Sequence, residues 1–417
     1  AAARAPVTYG EEFVRAGRDW PDGRPGQIAA AMGIEGALSG TAADGQAWNA
    51  RLEQLELAGG PYANELAEPL AGLAGHYRSA GDLATAQQLY RRALHVVRIN
   101  DGLYSERQVP IVRALLDSFR EAGDLEQLDQ RYDYFFRLYG NGQPPYTDLR
   151  LGAALEYLRW QREALRRGVD GKDNGRLLDL YYLNEDLLHL VEVHGPIGYA
   201  LYREAVLSQL RNLYLVQARI TPKIQEIALT HYNPMPGTNS GGLGDQDFDE
   251  RRLETIQRSA VSTGAALLEQ LLAKSQGEGP GAVAAVRLEL ADWYQWNGAY
   301  NRAREHYAEV ERGLREAGES ELLREWLAQP RELPDNGAFW QPRARDDEQR
   351  RVTLRASFDV SSRGRAQNIQ VQARREDDQQ LAWRLRRQLA KIPFRPRIVD
   401  GVGEAAGQLV ADYEVID

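Results

Sequence analysis

The sequence predicts a mainly α-helical protein, in which a solenoid of stacked helical hairpins is followed by a small α+β domain. Stretches at 73–94, 115–136 and 290–311 share one spacing of aromatic, glycine and small residues. Hydrophobic residues between these stretches recur at intervals of three and four, the period of an amphipathic helix. Near residue 348 the hydrophobic period changes to two, which indicates half-buried strands.

Each of the three stretches is typical of two amphipathic helices joined by a glycine turn. In the first, Tyr77 precedes Gly81, and Ala86 and Tyr90 follow it. Glycine adopts the left-handed backbone of such a turn without steric cost, and the small residue lets the helices approach closely. One hairpin cannot bury its apolar face alone, so hairpins stack. The equivalent residues of the other stretches are Phe119, Gly123, Leu128 and Tyr132, and Tyr294, Gly298, Ala303 and Tyr307.

This pattern resembles the tetratricopeptide repeat (TPR) family, although Leu128 occupies a position where that family has a small residue. Phe119 lies 42 residues after Tyr77, whereas the usual TPR period is about 34 residues. The resemblance implies a concave groove, lined by the first helix of each hairpin, that binds a peptide or helix of a partner protein. An unrelated bundle of helical hairpins is the alternative. The predicted groove residues are Glu68, Arg78, Arg113, Asp117, Arg120, Asp292 and Gln295.

The solenoid is expected to occupy residues 61–327. Before it, residues 1–60 are rich in Gly, Ala and Asp and are expected to be irregular or weakly helical, with a helix near 46–58. Residues 233–248 contain several Gly and Pro and predict a long loop. Asp249 is expected to cap a helix that ends near Lys274, since its carboxylate can accept the N–H groups of the first turn. Divergent middle helices are predicted at 148–167, 174–194 and 197–229.

An extended connector is predicted at 328–347, because Pro330, Pro334 and Pro342 interrupt regular helix. The domain that follows, 348–417, has the predicted order β-β-α-β. Its elements are expected as a strand at Val352–Val360, a strand around Ile369–Ala373, a helix at Asp377–Lys391 and a strand at Leu409–Val415.

This domain resembles the C-terminal domain of TonB-family proteins. The resemblance lies in FDVSSRGRAQNIQV at 358–371, LRRQLAKIPFRPRIVDG at 385–401 and the closing DYEV. It implies a periplasmic domain that engages an extended partner segment by adding a strand to its sheet. The closing strand is expected at a sheet edge, where unpaired backbone groups can accept another strand. A domain that only caps the solenoid is the alternative. The predicted edge residues are Leu409, Ala411, Tyr413 and Val415.

The composition restricts the possible functions. The chain has 417 residues, a formal charge of −9 and no cysteine, so disulfides, thiolate metal sites and cysteine nucleophiles are excluded. The negative charge argues against nucleic-acid binding by the whole chain, because phosphate neutralisation needs a basic face. No stretch approaches the ~18 consecutive apolar residues of a membrane span. Only four of the 51 basic residues are lysines, which indicates a GC-rich, bacterial genome. The opening AAARAP favours an exported chain whose signal has been removed, and removal of the initiator Met alone is the alternative.

The motifs of common catalytic and metal sites are not found in the sequence. The six histidines form no HExxH motif, and no serine lies in GxSxG. Asp245, Asp247 and Asp249 resemble the start of a calcium loop. Glu250 replaces the required glycine and Ile256 the closing glutamate, so an EF-hand is excluded. A looser calcium site near 245–249 is the alternative to an acidic helix cap.

We therefore expect a non-enzymatic, exported scaffold or adaptor that binds a protein partner in the bacterial periplasm or at the cell envelope. No catalytic residue, cofactor, metal, nucleic acid or transmembrane segment is expected. The alternative is a structural subunit of an envelope assembly built from copies of this chain. An enzyme that uses carboxylates on a helical scaffold is the third hypothesis.

Overall fold

The computed structural model describes residues 7–9, 13–15, 45–145, 147–169, 173–194, 197–230, 245–339, 351–373 and 375–416. In these ranges the chain is mainly helical, and its C-terminal part is a small region of antiparallel strands packed with one helix. The predicted fold class, helical hairpins followed by a small α+β domain, is confirmed.

The chain folds into two compact units. One comprises Arg24–Gly171 and His189–Pro196, and the other comprises Ala1–Gly23, Lys172–Leu188 and Ile197–Asp417. The domain ranges that the sequence predicts group the chain differently, and they remain predictions.

In the unit that contains residues 45–169, the described helices follow one another, and each packs against the next. The helix expected near 46–58 is present as the first of them. Their bounds are α1 Gly45–Gly59, α2 Ala67–Ser79, α3 Leu83–Asp101, α4 Val109–Ala122, α5 Leu125–Leu138 and α6 Asp148–Arg167.

The turns inside the hairpins α2–α3 and α4–α5 have the same local structure. Gly81 and Gly123 have φ angles of +85° and +73°, a left-handed backbone that favours glycine. The aspartate after each glycine, Asp82 or Asp124, caps the next helix, because its carboxylate accepts a first-turn backbone N–H at 3.1 Å. A Gly-Asp pair therefore ends one helix and begins the next in each of these two hairpins.

The layer between the paired helices is filled largely as the spacing predicts. Ala86 and Tyr90 are buried, and so are their counterparts Leu128 and Tyr132. Tyr77 is only half-buried, since it lies at the end of α2 beside the exposed turn. Leu128 is fully buried in the position of the expected small residue, so the hairpin α4–α5 accommodates a larger side chain there than α2–α3 has at Ala86.

The remaining helices before the sheet include the third predicted hairpin. In its turn Gly298 has a φ angle of +75°, and Tyr294, Ala303 and Tyr307 are buried. The expected cap at Asp249 is wrong, because the helix already begins at Asp245 and places Asp249 in its second turn. The helices are α7 Asp173–His194, α8 Tyr199–Thr230, α9 Asp245–Lys274, α10 Pro280–Trp296, α11 Tyr300–Glu316 and α12 Ser320–Leu327. Of the predicted loop at 233–248, residues up to 244 lie outside the described part of the chain.

A five-stranded antiparallel sheet has the order β1-β2-β9-β4-β5. β4, β5 and β9 are the predicted strands, and the predicted helix, α13 Gln379–Leu389, packs against β5. The N-terminal strands β1 and β2 correct the expectation of an irregular segment, because three-residue strands are too short to show an alternating pattern. The described strands are β1 Val7–Tyr9, β2 Phe13–Arg15, β3 Arg331–Glu332, β4 Arg351–Val360, β5 Ala366–Gln372, β6 Phe394–Arg395, β7 Arg397–Val399, β8 Val402–Glu404 and β9 Ala406–Ile416.

The short strands tie the predicted connector to the C-terminal module. β3, from the connector, pairs with β6, and β7 pairs with β8 in a hairpin. Gly401, between β7 and β8, has a φ angle of +76°. The rest of the connector, from residue 340, lies outside the described residues.

Candidate functional site

Arginine–glutamate pairs join α2 to α4, the first helices of two successive hairpins, and α4 to α6. Arg78 donates to both carboxylate oxygens of Glu121, at 3.1 and 2.6 Å. Arg120 donates to Glu163 at 2.5 Å. Each bond links residues 43 positions apart. Arg78 and Arg120 are equivalent residues of neighbouring hairpins, as are Glu121 and Glu163. The same charged link is therefore used twice along the stack.

The two links differ in burial. The Glu121 side chain is 33% exposed, whereas the Glu163 side chain is 1% exposed. Arg167 lies one turn after Glu163 on the same helix, 3.4 Å away. A buried carboxylate loses its hydration and depends on its ion pair far more than an exposed one does. We therefore expect the stability of this unit to depend more on the Arg120–Glu163 link than on the Arg78–Glu121 link.

A third arginine on this face also binds a glutamate of α6. Arg113 donates to both oxygens of Glu156, at 3.1 and 2.8 Å, and its guanidinium lies 4.9 Å from the centre of the Phe135 ring. Burial raises the pKa of Glu156, and the positive charge of Arg113 opposes that rise. The charge on Arg113 therefore serves first to hold two helices together.

The acidic predicted residues of this unit are more accessible. The Asp117 side chain is 51% exposed and lies 3.6 Å from Arg78, and Glu68 is exposed on α2. A row of side chains of mixed charge lies on α2 and α4. Together with the glutamates that pair with it, we name this row the charged face. Its residues are Arg78, Arg113, Asp117, Arg120, Glu121, Glu156 and Glu163.

Sequence reasoning missed the α6 side of the charged face. Trp160 stacks on Tyr132 with ring centres 5.0 Å apart, and its indole N–H donates to Asp129 at 2.7 Å. Arg120 lies 5.4 Å from the centre of the Trp160 ring. One sequence signal points to α6: Glu163 follows Glu121 by the same number of residues that separates Arg78 from Arg120.

In the other unit, the predicted groove residues Asp292 and Gln295 are buried against the C-terminal module. The Asp292 carboxylate accepts hydrogen bonds from Arg395, at 2.9 and 2.5 Å, and from the Tyr307 hydroxyl at 2.8 Å. Gln295 donates to the carbonyl groups of Arg363 and Phe394, at 2.8 and 2.9 Å. The chain itself covers these side chains, because α10 packs against β6, so we do not propose them as partner contacts.

We call this contact between α10 and the C-terminal module the junction, and other buried polar groups lie in it. Arg395 also donates to Asp335 at 3.2 Å and to the Trp326 carbonyl at 2.8 Å. Near it, Glu289 accepts a hydrogen bond from Asn336 at 3.1 Å. Burial, with repulsion from Asp292, raises the pKa of Glu289 to about 7. The junction therefore holds a carboxyl group that titrates near neutral pH.

The predicted edge strand lies inside the sheet. β9 pairs with β4 over most of its length, and β2 pairs with its other side, with Phe13 opposite Val415 and Arg15 opposite Tyr413. Leu409 and Ala411 lie nearer the start of β9, opposite β4 and beyond the register of β2. Tyr413 is fully buried, and its hydroxyl donates to Glu332. A segment of this chain thus occupies the side of β9 at which we expected a partner strand, and the outer strands are β1 and β5.

Among the described residues, no group of three or more His, Cys, Asp or Glu residues is placed to hold a metal ion. The side chains of Asp245 and Asp247, which the calcium alternative needs, lie outside this description. No helix in the described ranges is both long enough and apolar enough to cross a bilayer.

No protein-family model matches the sequence, and no curated protein matches it.

Proposed function

We propose that this protein is a non-enzymatic scaffold or adaptor that binds a partner protein through the charged face of α2, α4 and α6. The observation that carries the proposal is the repeated arginine–glutamate link, which holds charged side chains in fixed positions on successive helices. A surface whose side chains are already ordered loses less conformational entropy when a partner binds.

The chemistry of the face favours a protein partner. Positive and negative side chains alternate along it, with Asp117 between Arg113 and Arg120 on α4. Such a face can complement a peptide or helix of mixed charge, whereas a nucleic acid needs a continuous basic surface. The exposed Asp117 and Glu68 are the groups of this region best placed to meet such a partner.

The resemblances of the sequence to the TPR family and to the TonB C-terminal domain also support the proposal. The hairpins with Gly81 and Gly123 support membership of the TPR family. The chain order β4, β5, α13 and β9, with the short strands β6, β7 and β8 between α13 and β9, supports a TonB-like C-terminal domain. On the second resemblance we propose a periplasmic or envelope location. These assignments rest on sequence pattern and on the order of elements.

The test uses charge reversal at exposed positions, because Arg113 and Arg120 hold buried glutamates and their reversal would also unfold the unit. Asp117→Lys and Glu68→Lys are compared with Glu53→Lys, an exposed reversal on α1. Each full-length variant is cross-linked in the native envelope, purified and analysed by mass spectrometry. We expect one partner to be lost with Asp117→Lys or Glu68→Lys and kept with the control. An identical set of partners in all variants refutes binding through this face.

Assembly from copies of this chain is a second candidate function, favoured by the position of β5. β5 is an outer strand of the sheet, and an outer strand can pair with a different strand edge of another copy, a contact that can continue from copy to copy. Size-exclusion chromatography with light scattering separates the two functions: a large homo-oligomer favours self-assembly, and a monomer favours the adaptor.

A further inference from the structure

A cleft rich in arginine lies between α3 and α5, the second helices of two hairpins. It has a volume of about 440 Å³ and is open to solvent. Its position separates it from the charged face, which is formed by the first helices. It is lined by Arg98, Gln130, Arg131, Asp133, Tyr134 and Arg137.

Hydrogen bonds hold Arg98 in place in this cleft, and among the described residues no carboxylate neutralises the cleft arginines. The Arg98 Nε donates to Gln108 and to the Tyr134 hydroxyl, both at 3.1 Å. Its guanidinium lies 4.5 Å from the centre of the Tyr134 ring, and that of Arg131 lies 5.8 Å from it. Within the described ranges, neither Arg131 nor Arg137 has a carboxylate within ion-pair distance.

The acidic side chain of the cleft is directed to another partner. Asp133 accepts a hydrogen bond from the Tyr157 hydroxyl of α6 at 2.8 Å. Three guanidinium groups therefore share the cleft with one carboxylate that is already hydrogen-bonded. This concentration of positive charge occurs in a chain whose formal charge is −9.

This arrangement is electrostatically unfavourable for the arginines. Burial, with repulsion from Arg98 and Arg91, lowers the pKa of Arg131. Like charges held together are unfavourable unless a counter-charge offsets them. An anion in the cleft would relieve the repulsion and would satisfy guanidinium N–H groups.

We propose that this cleft binds the phosphate group of a small molecule. Planar guanidinium groups donate parallel hydrogen bonds to phosphate oxygens, and several of them together suit a doubly charged group. The cleft has room for a phosphate with a small organic substituent. The negative charge of the chain opposes an extended polyanion, which favours a compact ligand over a nucleic acid.

The test is isothermal titration calorimetry of the full chain at low salt, with inorganic phosphate and phenyl phosphate as probes. Arg131→Gln and Arg137→Gln are compared with Arg51→Gln, which removes the same charge from an exposed position of α1 outside the cleft. Circular dichroism verifies that each variant is folded. We expect both probes to bind, with affinity about tenfold weaker in each cleft variant and unchanged in the control, because each cleft variant loses charge-assisted hydrogen bonds to the phosphate.

Two results would overturn the proposal. One is the absence of binding of either probe, or equal affinity in the wild type and both cleft variants. The other is binding only to vesicles that contain phosphatidylglycerol, which would assign the cleft to a lipid surface instead of a small phosphate. Neither result bears on the protein partner of the charged face, because Asp117 and Glu68 lie outside the cleft.

Discussion

Replacing Arg120 by Met is expected to destabilise the helical unit far more than the equivalent change at Arg78. The substitution leaves Glu163, of which 1% is exposed, without its principal counter-charge. Breaking a buried ion pair typically costs about 3–5 kcal/mol. We expect about 3 kcal/mol, the lower end, because Arg167 stays 3.4 Å from Glu163. Arg78→Met leaves Glu121 in contact with water, so its expected cost is below about 1 kcal/mol.

A double-mutant cycle separates the pair from the individual side chains. Glu163→Met removes the buried negative charge and leaves Arg120 partly exposed, where its guanidinium can be hydrated. The double variant replaces both charges by apolar groups, which is often close to neutral for a buried pair. We therefore expect the double variant to be more stable than Arg120→Met alone.

The assay is urea unfolding at neutral pH, followed by far-UV circular dichroism, together with hydrogen exchange of peptides from α6. We expect the α6 peptides to lose protection from hydrogen exchange in Arg120→Met and to keep it in Arg78→Met. Equal small losses for the two arginine variants would refute the argument that burial of the glutamate decides the cost. A double variant less stable than Arg120→Met would contradict the cycle.

Two further predictions concern the hairpin layer and the buried carboxyl group. Ala86→Leu and Ala303→Leu should each lower the free energy of unfolding by about 1–3 kcal/mol through overpacking, whereas Ala122→Leu, at an exposed position, should not; unchanged melting temperatures would count against the layer. For Glu289, whose pKa is raised from 4.5 to about 7 by burial and by Asp292, the folded protein retains a proton that the unfolded chain releases. Between these values the free energy of unfolding should therefore decrease as pH rises. Glu289→Gln should remove that decrease. The measurement is urea unfolding below and above the two pKa values, and the same pH dependence of the unfolding free energy in Glu289→Gln and in the wild type would refute the role of Glu289.

Much of the helical architecture could be predicted because its signals are local. Gly81 and Asp82 specify a turn by backbone conformation and by a cap within four residues, and Gly123 and Asp124 repeat it. Hydrophobic periodicity likewise places helices and the strands β4, β5 and β9, since each pattern needs only neighbouring residues.

The candidate site was predictable only in part. The sequence places Arg78 and Arg120 on the first helices, where they indeed lie. Their partners Glu121 and Glu163 stand 43 positions further along, beyond any local pattern. The arginine cleft escaped prediction for the same reason, because Arg98 and Arg131 belong to different helices.

The sequence by itself determined most of the helices, the strands β4, β5 and β9 and the turns of the predicted hairpins, because those choices depend on the backbone and on neighbouring side chains. Only the tertiary structure decided what covers each face. Asp292 meets Arg395 across 103 positions, and Phe13 lies opposite Val415 at the other end of the chain. Such pairs leave no trace in local spacing, since burial and charge pairing between distant segments are settled only when the segments pack together.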